Sequence, residues 1–277
     1  MRWLVVALLV IASRSLADPL PSGGCAHESI VHGPRLERTI EVGGTARRVI
    51  LDVPEAVKVG APAPVLLDFH GFGHSGAGVW QVSGFKALAK EQGFITAYPE
   101  GLPVRLTLRG ESMEAPGWQI DGLDGNRDVA FTAALLDTLE RDYCVDRRRI
   151  YSTGFSNGAY FSQVLACALP DRIAAVAPVS GGRLRFDCTP SRPVPILIQH
   201  GSEDDLIPPD AARQARDAWR EINGCQGDVQ AAGPACERWT ECKAAAVVEY
   251  CEEPYAHRWP PQATARVWEF LSSKTLP

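Results

Sequence analysis

Within this chain, Gly154-Phe155-Ser156-Asn157-Gly158 holds a serine flanked by glycines two residues to either side. A nucleophile at the tip of a strand must turn sharply into a helix, and glycines at those two positions leave room for the turn. The sequence on either side fits that placement. Arg149 to Thr153 is apolar and β-branched enough to be a strand, and Ala159 to Leu165 carries an apolar helical face. A serine hydroxyl is a weak nucleophile; it needs a base, and the base needs an orienting acid. On this strand-turn-helix arrangement the chain order is Ser, then Asp or Glu, then His.

Two histidines follow Ser156, namely His200 and His257. His200 ends an apolar strand directly before Gly201, which suits a packed structural role, whereas His257 lies in a loop after the last strand, where the base belongs. For the acid, Glu203-Asp204-Asp205 leave the end of the strand that carries His200, and Asp204 is best placed in the turn. Acyl transfer also needs backbone donors for the oxyanion. The Asn157 N–H, next to the nucleophile, supplies one, and Phe72 in His70-Gly71-Phe72-Gly73 is expected to supply the other. This chemistry requires no cofactor, and the cysteine spacing offers no metal set: the tightest pair, Cys236 and Cys242, has no matching second pair. Trp259, Trp118 and Trp80 are candidates for a substrate-binding rim, with core packing as the alternative for each.

These residues need a scaffold. Apolar runs at 48–53, 65–70, 94–98, 150–153, 173–179, 195–200 and 246–250 alternate with helical periodicity at 79–92, 128–143, 158–168, 210–223 and 263–272. Alternation of that kind predicts an α/β fold, a mostly parallel sheet covered by helices on both faces. Segments 38–42 and 47–53, separated by Gly43-Gly44, read as an antiparallel hairpin at one edge.

The chain has 277 residues, 45% of them hydrophobic and 22% charged, enough for one domain with a full core. A net charge of −5 without long runs argues against nucleic acid as a partner. Arg2, the apolar run Trp3 to Ala12 and the small residues of Ser15-Leu16-Ala17 have the layout of a signal peptide over 1–17, leaving 18–277 as the catalytic domain. A fainter lipoprotein-like site ends at Cys25. Export places the protein outside the cytoplasm (extracellular or periplasmic), with no membrane association after cleavage. The eight cysteines are then disulfide-bonded by default. The strand rising to Ser156 and the helix descending from it have about equal lengths, roughly 18–20 Å by their rises. That predicts Cys144 and Cys167 at one level, bonded to each other.

Taken together, Asp128 to Phe131, Tyr143-Cys144-Val145-Asp146, the Ser156 pentapeptide, Ala177 to Gly182, His70 to Gly73, Tyr98 to Gly101 and the acid loop ending in Ile207-Pro208 resemble secreted feruloyl esterases and the related poly(3-hydroxybutyrate) depolymerases. The resemblance runs over nearly all of the chain from Gly23. It implies a single-domain α/β-hydrolase with Ser156, Asp204 and His257 as nucleophile, acid and base. The expected substrate is a feruloyl or acetyl ester on plant polysaccharide, with an oligomeric hydroxyalkanoate polyester as second choice and a catalytically inactive binding protein as the alternative of another class. One departure is that Pro254-Tyr255-Ala256 stands where relatives carry glycines before the histidine, with Trp259-Pro260 kept; that bulk either narrows the leaving-group side or is a local loop variant.

Overall fold

A computed structural model describes residues 17–108 and 110–277. The signal-peptide reading of residues 1–17 falls almost wholly on residues outside this range. The edge hairpin pairs β1 (Gly33–Val42) with β2 (Thr45–Val53) in antiparallel register. Gly43 and Gly44 turn between them with φ of 56° and 76°, the left-handed pair that a tight two-residue hairpin requires.

From there the chain alternates as its patterning predicts. β3 (Ala63–Phe69) is followed by α1 (Gly76–Val82), α2 (Phe85–Gln92) and β4 (Ile95–Pro99). The periodicity over 79–92 is thus split into two helices. Gly84, at φ 79°, breaks the helical path between Val82 and Phe85. A hairpin absent from the sequence reading comes next, β5 (Leu102–Leu108) and β6 (Glu111–Gly117). It forms a two-stranded sheet of its own.

The second half runs α3 (Arg127–Asp142), β7 (Val145–Phe155), α4 (Asn157–Ala168), β8 (Ala175–Val179), β9 (Ile196–Gly201) and α5 (Pro209–Ile222). β10 (Gln230–Ala231), β11 (Cys236–Trp239), β12 (Val248–Glu253) and α6 (Ala263–Ser272) complete it. The main sheet has the order β1-β2-β4-β3-β7-β8-β9-β12-β11-β10. Neighbours from β4 through β12 are parallel, and the pairs at both edges are antiparallel.

Each face of the sheet is covered. Phe131, Leu135, Phe161, Leu165 and Trp219 bring α3, α4 and α5 onto one side. Val79, Phe85, Val267 and Leu271 bring α1, α2 and α6 onto the other. Central strands such as β3 are buried on both faces, which is why their sequences are predominantly apolar.

All eight cysteines are paired, as Cys25–Cys144, Cys167–Cys188, Cys225–Cys242 and Cys236–Cys251. This corrects the expected Cys144–Cys167 bond. Equal height along the sheet is insufficient, because a disulfide also needs the two Cα atoms within about 7 Å. Cys144 is claimed instead by the N-terminal segment: the Ser22 N–H donates to the Val145 carbonyl and the Ser22 hydroxyl to the Tyr143 carbonyl, setting Cys25 alongside. Cys167 meets Cys188 in the connection from β8 to β9. With Cys25 spent in a disulfide, its sulfur is closed to acylation.

The region 224–243 is neither loose nor separate. Cys225–Cys242 closes its base, and Cys236–Cys251 joins directly opposed residues of β11 and β12. It extends the main sheet at the β12 edge.

Candidate active site

The strands of the parallel sheet end on one rim, and the candidate residues collect there. Ser156 sits between β7 and α4 with φ 54° and ψ −116°, a conformation that a residue with a side chain holds only under constraint. The constraint is visible on both sides. The Ser156 N–H donates to the Val179 carbonyl at 3.0 Å, and the Ser156 carbonyl accepts from the Ala159 and Tyr160 N–H groups. A Cβ at Gly158 would run into the Phe69 carbonyl, and one at Gly154 would lie 2.6 Å from the Gly158 carbonyl carbon. The turn is therefore closed to any residue but glycine at these two positions.

Asp204 and His257 arrive from adjacent strands, β9 and β12. Gly201 lets the loops that follow them touch, since a Cβ there would collide with the Tyr255 backbone. The Ser202 N–H bonds the Glu253 carbonyl at 2.8 Å and the Glu203 N–H bonds the Tyr255 carbonyl at 3.2 Å, tying one loop to the other. Asp204 is buried. One carboxylate oxygen accepts the Leu206 and Ile207 N–H groups at 3.0 and 2.9 Å, and the other lies 2.7 Å from His257 Nδ1. The His257 side chain keeps 14% of its surface exposed, and its ring lies 4.7 Å from the Phe155 ring, one residue before the serine. With Nδ1 held by a carboxylate, Nε2 is the free nitrogen that a proton acceptor needs.

His200 is fully buried, with Nε2 2.9 Å from the Ile207 carbonyl, and burial lowers its pKa. It packs behind the acid loop, as expected of it. Of the three residues before His257, Tyr255 is buried, whereas Pro254 and Ala256 are exposed.

Phe72 and Asn157 flank the serine. A Cβ at Gly71 would lie 3.4 Å from Ser156 Cβ, which brings the 70–73 loop against the nucleophile. Asn157 is the first residue of α4, so its N–H has no acceptor within the helix. The Phe72 N–H takes no backbone acceptor among the described residues. His70 fixes this loop from below: its Nε2 accepts the Gly101 N–H at 2.9 Å and its Nδ1 lies 2.8 Å from the Gly71 carbonyl. Burial holds the imidazole neutral by lowering its pKa to about 4.

Trp118, expected at a substrate rim, is completely buried. It stacks on Phe161 at 5.2 Å and meets Phe69 edge-on. Its role is one that the sequence did not reveal. Its backbone N–H donates to Asn157 Oδ1 at 2.7 Å, its carbonyl accepts from Asn157 Nδ2 at 3.2 Å, and its indole N–H bonds the His70 carbonyl at 2.8 Å. One residue thus braces both candidate donor segments. Trp80 is also committed elsewhere. Its N–H is shared by the Asp52 carboxylate oxygens at 3.0 and 3.1 Å, and Arg35 and Lys86 cover its ring. It anchors α1 to β2. Trp259, partly exposed two residues beyond His257, rests edge-on against Phe85 and bonds Thr264.

Among the described residues, the ligand atoms of Cys236, Glu249 and Cys251 converge, but both sulfurs are consumed by their mutual disulfide.

The family model described as phospholipase/carboxylesterase matches residues 56–233. Feruloyl esterase D of Neurospora crassa is 29% identical over 241 residues, covering 80% of this chain and 76% of that protein. Feruloyl esterase B of Piromyces equi is 29% identical over 233 residues, covering 74% of this chain and 41% of that protein. The chain thus spans less than half the length of the Piromyces enzyme. Among solved structures, an acetyl xylan esterase from Aspergillus awamori aligns with a TM-score of 0.67 at 16% identity, over 86% of this chain and 99% of that one, a likeness of fold. The chain belongs to the phospholipase/carboxylesterase family of α/β-hydrolases, and within it is a feruloyl esterase-like carboxylic-ester hydrolase.

Proposed function

We propose that the protein is an exported serine esterase that releases feruloyl or acetyl groups from plant cell-wall polysaccharide, with Ser156 as nucleophile, His257 as base and Asp204 as the orienting acid. The observation that carries this reading is the 2.7 Å contact between His257 Nδ1 and Asp204, formed beside a serine held at φ 54°. Ser156 attacks the ester carbonyl while His257 Nε2 takes the hydroxyl proton. The tetrahedral oxyanion rests on the Asn157 and Phe72 N–H groups, each worth roughly 3–4 kcal/mol in such a site. His257 then protonates the departing alcohol, and water repeats the sequence on the acyl-enzyme. Asp204 holds the imidazole in the tautomer that leaves Nε2 to accept the proton. Trp259, beside the base, is the rim residue for the leaving group.

The names of the relatives support the choice of acyl group and of polysaccharide, and four disulfides support export, since such bonds persist outside the cytoplasm. The test is hydrolysis of methyl ferulate, acetylated xylan and a hydroxybutyrate oligomer, with Ser156→Ala and Asp204→Asn as variants. Ser156→Ala is expected to fall to background and to lose fluorophosphonate labelling, and Asp204→Asn to lose about 10⁴ in kcat. Turnover by Ser156→Ala would overturn the assignment. Preference for the hydroxybutyrate oligomer would move the substrate to a polyester.

A further inference from the structure

The β5–β6 hairpin is built into the site at its base, where the Arg127 guanidinium of α3 also donates to the Pro103 carbonyl at 2.6 Å. Leu102 pairs with Gly117, Val104 with Ala115 and Leu106 with Met113, so these residues share one face. Arg105 pairs with Glu114 on the other face, where their side chains form a 3.3 Å ion pair in solvent. The hairpin is therefore amphipathic, and its strands pair only with each other.

The direction of the apolar face is set at its root. A Cβ at Gly117 would point at Val104 (2.8 Å), Asn157 Oδ1 (2.9 Å) and the Phe72 ring (3.3 Å). One at Gly73 would lie 4.0 Å from Ala115. The Gly73 N–H donates to the Pro116 carbonyl at 2.8 Å. The face carrying Val104, Leu106, Met113 and Ala115 thus continues outward from the two residues proposed to hold the oxyanion. Leu106 and Met113 stand one pleat further out, about 7 Å beyond the Val104–Ala115 pair. Met113 leaves 41% of its surface exposed, so this outer part of the face is open to a bound group.

In a tetrahedral intermediate the alcohol faces the base and the acyl group extends away from it. The hairpin is rooted on the oxyanion side, and none of its described contacts involves the loop that carries His257. We infer that this hairpin is the acyl-side wall of the ester site, its apolar face seating an elongated or aromatic acyl group and thereby setting acyl specificity. The inference rests on the serine-esterase reading above. An acetyl group is too short to pass the root of the hairpin, so it gains nothing from Leu106 and Met113. A hydroxycinnamoyl or medium-chain acyl group lies along them.

The test is the double variant Leu106→Ser/Met113→Ser in the full chain, assayed on nitrophenyl acetate, nitrophenyl octanoate and methyl ferulate. Expected is a fall of about 10- to 100-fold in kcat/KM for the octanoate and ferulate, carried by KM, with acetate turnover within about twofold of the parent. The opposite-face pair Arg105→Ala/Glu114→Ala is expected to leave all three substrates unchanged. Equal loss on all three esters, or no loss on the longer ones, would overturn the inference. Ser156→Ala, assayed in parallel, reports on the underlying reading separately, because failure there shows as turnover without the serine, whatever the acyl length.

Discussion

Asp68 lies on β3, two residues before the loop that carries Phe72, and the chemistry makes no use of it. It is fully buried, with the Ser83 side chain as its hydrogen-bonding neighbour. Burial pushes its pKa from 3.8 up to about 7. The folded state therefore prefers the neutral acid, while the unfolded chain ionises near the ordinary value. Stability is fully present below pH 3.8 and is lost as pH rises through about 7, by roughly 4 kcal/mol at 1.36 kcal/mol per pH unit. Asp68→Asn removes the titration. Its thermal midpoint, followed from pH 4 to pH 8, should lack the decline that the parent shows, and parallel curves would refute this account. At this scale the sequence was legible where chain order restricts the choice. The proposed triad of Ser156, Asp204 and His257 follows from the order required on this scaffold, and the structure brings Asp204 and His257 into contact. Trp118 was not legible, because residue type says nothing of direction. The same indole could face substrate or core, and the hydrogen bonds to His70 and Asn157 that decide it join residues far apart in the chain.

Among the elements, the disulfides differ in how much chain they restrain. Cys25–Cys144 spans 119 residues, whereas Cys225–Cys242 spans 17. Loop-closure entropy then assigns about 5 kcal/mol to the first and about 3 to the second. Replacing both cysteines of each pair by serine should lower the urea midpoint more for Cys25/Cys144 than for Cys225/Cys242, and the reverse order would contradict the entropic account. Neither pair includes or adjoins the residues of the proposed triad, so kcat on nitrophenyl acetate should hold in both folded variants. Strands and helices with strong periodicity were legible, and the Gly43-Gly44 turn fixed the edge hairpin. The β5–β6 hairpin was not. Val104, Leu106 and Leu108 alternate with polar residues and Gly110 marks a turn, yet Glu111-Ser112-Met113-Glu114-Ala115 has too little β-branched character to announce its partner strand. The Cys144 pairing failed for a related reason. Height along a sheet follows from residue counts, but lateral position depends on how a distant segment, here Ser22 to Cys25, docks.

For the whole molecule, a mostly parallel sheet gathers the proposed oxyanion loop, nucleophile, acid and base from four different strand ends onto one rim. Alternating strand and helix patterns made that architecture legible, because only a sheet buried on both faces accounts for strands as predominantly apolar as β3 and β8. Full cysteine pairing also gives the folded protein a simple signature. Alkylation without reduction should add no mass to the denatured chain, and alkylation after reduction should add eight groups. Any addition before reduction would contradict the pairing. The glycines of the serine turn bear on how such a chain changes over generations. Gly154 and Gly158 are demanded by the close passage of β3 against the turn, whether or not Ser156 reacts. A descendant that lost its chemistry could discard the serine and keep folding, but it could not discard these glycines. Their presence in a relative is a record of ancestry; the serine between them is the record of what that relative still does.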